Sequence, residues 1–150
     1  MRTDALLLLS DAQAVTADAV STNAVKLGAA GLDIGIGEPL AVVFVIDVAA
    51  DYTTGDETYK FVVRTATASD GTTGATSLVE TPAIAGSALT AGTRFALVLP
   101  QNRVAATATH LAAYYDVAGT TPTVTVTAFV QPASMVQNDV YYASGFTVQA

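Results

Sequence analysis

The chain has 150 residues, no cysteine, and 6 basic against 13 acidic residues, which give a net charge of -7 at pH 7. This length builds one domain with its own core, the lack of cysteine excludes disulfides and thiolate metal sites, and the negative charge disfavours nucleic acid because it repels phosphate. Half of the residues are hydrophobic but only 13% are charged, so the chain is too apolar for disorder and its surface suits packing against other protein.

The first residues carry a short apolar run, 5–9, behind Arg2. This imitates a secretory signal, but five apolar residues are too few for one, so we expect a cytoplasmic product that keeps its N-terminus. Ser10 and Gln13 have the spacing of a helix capping box, with a short turn as the alternative. Residues 14–27 are mostly small and β-branched, which favours one or two extended pieces.

The strongest pattern in the chain is residues 40–48, read as LAVVFVIDV. Large side chains alternate on one face, and the other face is also apolar, which predicts a central strand that is covered on both sides. The run is too short to cross a bilayer as a helix, so no membrane partner is expected. Four glycines and Pro39 make the preceding residues, 28–39, a loop.

The rest of the chain alternates apolar and polar residues in short segments, which is typical of strands with one wet face. Strands are predicted at 58–67, 77–80, 93–99, 110–117 and 123–130. The last two are joined by residues 119–122, Gly-Thr-Thr-Pro, and this predicts a hairpin. The count indicates an all-β protein, a jelly-roll β-sandwich of about eight strands. We expect a single domain, 1–150, with an N-terminal arm at 1–12 and a C-terminal extension at 133–150.

Candidate catalytic and metal-binding residues are few. His110 is the one histidine of the chain, which is too few for a cupin-type metal site, and Asp47 is the one acid within a buried strand. The loop 51–57 groups three carboxylates as calcium would require, although it lacks the spacing of an EF-hand, and a solvated acidic turn is the alternative. No enzyme activity, cofactor or metal is therefore expected.

Several stretches, taken together, resemble a known family. They are residues 4–28 (DALLLLSDAQAVTADAVSTNAVKLG), 33–40 (DIGIGEPL), 81–84 (TPAI), 89–97 (LTAGTRFAL) and the pair Tyr114-Tyr115. These stretches resemble the jelly-roll capsid cement, or decoration, proteins of tailed double-stranded-DNA bacteriophages. The likeness is best over the first two-thirds of the chain, and residues 133–150 have no counterpart.

The resemblance implies a structural virion protein on the outer surface of an expanded icosahedral capsid. Its partners would be the phage major capsid protein, of HK97-like fold, and further copies of itself in a dimer or trimer. Binding only the expanded shell would stabilise that state by the binding free energy. We expect the N-terminal segment to supply part of the shell contact, through Arg2, Leu6, Leu7, Leu8 and Leu9.

Two alternatives stay open. The leucines at 6–9 could instead complete the protein's own core. The function could be that of a carbohydrate-binding jelly-roll module of a phage fibre or adhesin, which would need stacking tyrosines beside the loop 51–57.

Overall fold

The computed structural model of the protein describes residues 5–28, 37–100 and 106–136. In this part of the chain, two antiparallel sheets pack face to face around one core. The strands are β1 Leu8–Val15, β2 Ala19–Val20, β3 Val25–Lys26, β4 Leu40–Val48, β5 Thr58–Ala66, β6 Thr76–Glu80, β7 Ile84–Ala85, β8 Arg94–Val98, β9 His110–Ala118 and β10 Val124–Pro132. Short 3-10 turns occur at Ala5–Leu7 and Gly86–Ala88.

The strand order is that of a jelly roll. The first sheet runs β1-β10-β4-β8, and the second runs β2-β9-β5-β6, with β3 also paired to β9 and β7 to β5. Because β2 and β3 lie one after the other along β9, and β6 and β7 along β5, each pair fills one strand position. The ten segments therefore occupy eight positions, four in each sheet, and the predicted all-β sandwich is confirmed.

The central strand predicted at residues 40–48 is confirmed as β4. It lies between β10 and β8, and Val42, Phe44 and Ile46 point into the core between the sheets. Ala41 and Val43 point the other way and are nonetheless fully buried. The strand is therefore covered on both sides over most of its length, as its two apolar faces predict.

Four aromatic rings form the centre of the core. The Phe61 ring centroid lies 4.9 Å from that of Phe95, 5.3 Å from that of Phe44 and 5.9 Å from that of Tyr115, in tilted or edge-to-face arrangements. Such geometries place ring edges against ring faces, which is favourable for aromatic quadrupoles. Phe44 and Phe95 come from the first sheet and Phe61 and Tyr115 from the second, so the cluster joins the two sheets.

The other predicted strands correspond to β5, β6, β8, β9 and β10, with ends shifted by one or two residues. The hairpin prediction is wrong. The strand β9 lies in the second sheet, paired with β5 along its whole length, and β10 lies in the first sheet between β1 and β4. The connection between them crosses from one sheet to the other. The prediction failed because the alternation of apolar and polar residues determines which face of a strand is buried but not which strand lies next to it.

The start of the chain departs from the predicted capping box. Ser10 and Gln13 both belong to β1, which takes in residues 8–12 of the expected arm and forms an edge of the first sheet. Irregular register and a positive φ of 43° at Ala12 mark a bulge there, so the Ser10 hydroxyl reaches Gln13 Oε1 at 2.7 Å within a strand. Of the expected extension 133–150, residues 133–136 form a helical turn and the remainder lies outside the described residues.

Candidate docking surface

The structure places the expected contact residues in different environments. Leu6 is 81% exposed, whereas Leu9 is fully buried in the core of the sandwich. Leu7 is half-buried and packs against that core, and Leu8 is half-buried at the start of β1, where it pairs with Phe129. Leu9 thus serves the protein's own core, and Leu6 is the leucine of this run that offers a surface. Arg2 lies outside the described residues.

Two further exposed apolar side chains lie at the same end of the first sheet as Leu6. Val98 is 55% exposed at the last position of β8, and Met135 is 47% exposed just after β10. The turn that carries Leu6 packs beside β10. We call this group, Leu6, Val98 and Met135, the apolar end. It lies where β1 and β4 begin and where β8 and β10 end.

Backbone hydrogen bonds hold the two segments of the apolar end that carry Val98 and Met135. The Ala133 N–H donates to the Pro39 carbonyl oxygen at 2.8 Å, and the Leu99 N–H donates to the Leu40 carbonyl oxygen, also at 2.8 Å. The two bonds hold Leu99, next to Val98, and Ala133, two residues before Met135, against the start of β4. Exposed apolar groups that are held in this way lose little conformational freedom on binding a partner, which favours association.

Sequence reasoning found Leu6 but missed Val98 and Met135. A signal for Val98 was present, because Phe95 and Leu97 pack inward and the alternation places Val98 on the outer face. Met135 lies after the last strand, in a stretch with no clear periodicity, and only its position in the fold associates it with the other two.

The outer face of the second sheet is polar by comparison. The Lys60 ammonium lies 2.8 Å from the Glu80 carboxylate, and the Arg64 guanidinium carbon lies 4.1 Å from the centre of the Tyr114 ring. Burial lowers the pKa of Arg64, since desolvation disfavours its charge. The second sheet thus carries charged side chains on its outer face, whereas the apolar end lies at one end of the first sheet.

The candidate catalytic residues lie in different sheets. The His110 ring, at the start of β9, has its Nδ1 atom 2.8 Å from the Thr109 hydroxyl oxygen. Asp47, near the end of β4, is exposed and accepts a hydrogen bond of 2.6 Å from the Thr127 hydroxyl. Across residues 5–28, 37–100 and 106–136, no three His, Cys, Asp or Glu side chains are grouped as metal ligands would be.

The acidic loop 51–57 uses its carboxylates to hold itself together. Glu57 is fully buried and accepts hydrogen bonds from the Gly55 N–H at 3.1 Å and the Thr54 N–H at 3.3 Å. The Thr54 hydroxyl and the Thr120 N–H both donate to Asp56 and hold the pKa of that carboxyl below its usual value. Donors from the protein thus occupy carboxylate oxygens that a cation would need, and they tie the loop to the crossing between β9 and β10.

In the described part of the chain, the only helical segments are short turns, and none has the length and apolar character needed to cross a membrane.

Strand order, antiparallel pairing and a core between two sheets define the class: an all-β sandwich of jelly-roll topology. The chain belongs to the Bbp16 family, whose family model, described as Bbp16, matches residues 9–130. The match runs from Leu9 in β1 to Val130 in β10, so it covers every strand position of the sandwich. A comparison with curated proteins gives no match.

Proposed function

We propose that this protein is a capsid cement protein of a tailed double-stranded-DNA bacteriophage. It binds the outer surface of the expanded capsid and stabilises contacts between subunits of the major capsid protein. Its role is structural and not enzymatic. Its place is the outer capsid surface of the virion, after synthesis in the bacterial host cytoplasm.

The observation that carries the proposal is the apolar end of the first sheet, where the side chains of Leu6, Val98 and Met135 are exposed. Exposed apolar groups concentrated at one end of a sheet favour docking on another protein surface. The segment that resembles the cement proteins, residues 4–28, includes Leu6. Of the three residues of the apolar end, Leu6 thus lies within the resemblance, whereas Val98 and Met135 are identified by their exposure alone.

Energetics favour a lattice-bound role over a tight single contact. Burying the exposed parts of three apolar side chains contributes roughly 3 to 5 kcal/mol before the cost of association is subtracted. A micromolar complex needs about 8 kcal/mol, so this surface alone is too weak. Homo-oligomers, as dimers or trimers, would engage the shell at several points at once, and linked contacts raise the effective affinity without any new chemistry.

The proposal is tested by co-sedimentation with phage heads that lack this protein. Purified protein is titrated onto expanded heads, with unexpanded proheads as the control. We expect binding that saturates at a fixed stoichiometry on expanded heads and no saturable binding on proheads. Equal binding to both would contradict the proposal, because a ligand with no preference between two states stabilises neither.

A matched pair of variants locates the contact. Leu6→Glu places a charge in the apolar end, and we expect it to weaken binding to expanded heads about tenfold or more, since it removes apolar burial and adds a desolvation cost. Val48→Glu is the control, because Val48 is also exposed, at 59%, but lies at the opposite end of β4. Equal affinity of the two variants would exclude Leu6 from the contact while leaving the shell-binding test itself unaffected.

A further inference from the structure

The strand β8 forms an open edge of the first sheet. It pairs with β4 on one side and, among the described residues, with no strand on the other. Phe95 and Leu97 pack against the core but are only half-buried, and Val98 is 55% exposed on the outer face. Of the described strands of five or more residues, β8 is the one in which no residue is fully buried. An open edge with accessible apolar side chains is a template for a further strand.

The register shows which backbone groups of β8 face the open edge. Leu99, just after the strand, donates its N–H to the Leu40 carbonyl oxygen at 2.8 Å. Residues of an antiparallel pair alternate between those that exchange hydrogen bonds with the partner strand and those whose N–H and C=O groups point away from it. The groups of Ala96 and Val98 therefore point away from β4. An incoming strand can bond to these two residues without disturbing the pairing of β8 with β4.

The other edges of the two sheets carry features that disfavour strand addition. The strand β1 has a bulge and the exposed Asp11, and β6 has an irregular register with β5 and the exposed Glu80. The edge formed by β2 and β3 consists of two segments of two residues each, and the exposed Asp18 directly precedes β2. Bulges, charges and very short strands are the means by which proteins protect their edges. In contrast, β8 pairs in regular register and carries no carboxylate.

Charge favours a second copy of the chain as the partner at this edge. With a net charge of -7, two copies repel each other wherever their carboxylates meet. The edges at β1, β2 and β6 present carboxylates, whereas the one charged residue of β8 is Arg94. Two copies therefore approach with the least repulsion at β8. In an antiparallel pair centred on Leu97, the two Arg94 residues are about 20 Å apart along the strands, which exceeds the Debye length of about 8 Å.

We propose that the protein forms a dimer in which the β8 strands of two copies pair antiparallel, with Leu97 at the two-fold axis. Ala96 of one copy lies opposite Val98 of the other, and the outward N–H and C=O groups of these two residues exchange hydrogen bonds. The two half-buried Leu97 side chains meet and cover each other. Because both copies contribute the same residues, the contact is closed, and it produces a dimer and neither a trimer nor a fibre.

This pairing brings the apolar ends of the two copies together. A two-fold axis perpendicular to the sheet keeps the outer faces of both copies on the same side. Val98 is one residue from the axis, so the two Val98 residues lie about 7 to 8 Å apart on that face. The inference deepens the proposed function, because two weak surfaces then dock as one. Its tests use the free protein without phage heads, so a failure here leaves the test of shell binding unaffected.

Sedimentation of the free protein tests the dimer. A pair of five-residue strands is smaller than a standard interface, so we expect monomers at micromolar and dimers at millimolar concentration. Ala96→Pro removes an N–H that points away from β4, a position at which an edge strand tolerates proline, and this variant should stay monomeric. Ala96→Ser, the matched control, keeps the N–H and should dimerise like the unchanged protein. A monomer at all concentrations, a trimer, or a proline variant that dimerises normally would overturn the proposal.

Disulfide cross-linking tests the register, since the chain has no cysteine of its own. Leu97→Cys places one cysteine of each copy at the axis, with Cβ atoms about 4.5 Å apart, which is within reach of a disulfide. With oxidised glutathione as the oxidant, we expect covalent dimers to form several-fold faster than for Leu8→Cys. Leu8 is the matched control, because it is half-buried on the opposite edge of the same sheet. Equal rates would contradict the proposal, and this test decides even if far-UV circular dichroism shows that Ala96→Pro fails to fold.

Discussion

Ser10 of β1 and Tyr115 of β9 are hydrogen-bonded across the interior, with their hydroxyl oxygens 2.7 Å apart. Ser10 already donates its one hydroxyl proton to Gln13 Oε1, so Tyr115 donates to Ser10 and not the reverse. The bond joins an edge strand of the first sheet to a central strand of the second. It makes the bulged start of β1 part of the sandwich and not a free arm.

A double-mutant cycle measures this bond. Tyr115→Phe should lower the free energy of unfolding by about 0.5 to 1.5 kcal/mol, and Ser10→Ala by about 1 to 3 kcal/mol, because the latter leaves the Tyr115 hydroxyl buried without a partner. The double variant should cost no more than Ser10→Ala alone. Urea unfolding of the four proteins provides the values, and strictly additive losses would show that the two hydroxyls do not interact.

The same tyrosine makes stability sensitive to alkaline pH. Burial raises the pKa of Tyr115 above its ordinary value of about 10. At a pH between the pKa of an unfolded tyrosine and the raised pKa of Tyr115, the hydroxyl is deprotonated in the unfolded chain and protonated in the native protein. The free energy of unfolding therefore falls by up to about 1.4 kcal/mol per pH unit in this range. Burial also raises the pKa of Tyr59 and of Tyr114, so Tyr115→Phe should reduce the alkaline slope without abolishing it.

Thermal unfolding from about pH 8 to about pH 12 checks this expectation. The stabilising contribution of the protonated Tyr115 is complete below about pH 10, the pKa of an unfolded tyrosine, and is lost above it. A Tyr115→Phe variant with an unchanged alkaline slope would contradict the account.

Gly119, in the crossing from β9 to β10, is constrained in two ways. Its φ is +109°, and a Cβ there would lie 2.7 Å from Glu57 Cα. Gly119→Ala should therefore destabilise the protein both by backbone strain and by a clash with backbone atoms that cannot move easily. Gly92→Ala is the control, since Gly92 has a φ of +85° with no atom within 4 Å of the added carbon.

We expect Gly92→Ala to lower the free energy of unfolding by about 1 kcal/mol, because only backbone strain acts there. Gly119→Ala should lower it by at least about 2 kcal/mol more, because the clash adds to the strain. The midpoints of denaturant unfolding measure both. Equal losses would mean that the crossing does not pack tightly against the loop 51–57.

Sequence periodicity predicted the buried strands well and their neighbours poorly. For β4, the sequence predicted both the strand and its central position in the sheet. A strand that is buried on both faces has a nearly continuous run of apolar residues, and this run is visible in the sequence. For β9 and β10, the alternation was equally clear, yet the pairing was wrong. The crossing is fixed by contacts distant in sequence, such as the Thr120 N–H on Asp56 at 3.2 Å, and these leave no local signal.

The candidate site could be predicted only in part for a similar reason. The leucine run indicated a need for burial, but the pairing of β1 with β10 decides which leucine faces the core. Leu9 is buried and Leu6 is exposed. The grouping of Leu6 with Val98 and Met135 depends on strand order, which residue type and spacing do not encode.

Phe61 lies at the centre of the aromatic cluster that joins the two sheets. Its ring contacts Phe44 and Phe95 of the opposite sheet, and it is 1% exposed. Phe61→Ala should lower the free energy of unfolding by about 3 to 5 kcal/mol, through lost burial and the cavity left between the sheets. Phe61→Leu, which keeps most of the volume, should cost clearly less in the same urea titration, and a loss as large as that of alanine would contradict this account of the core.

The most direct test of the cement role is the melting temperature of expanded heads, with and without the protein at saturating concentration. Because binding is expected only to the expanded and joined shell, it should raise the temperature at which those heads dissociate, and Leu6→Glu should lose most of that rise while Val48→Glu keeps it. A melting temperature unchanged at saturation, or raised equally for unexpanded proheads, would contradict the central claim.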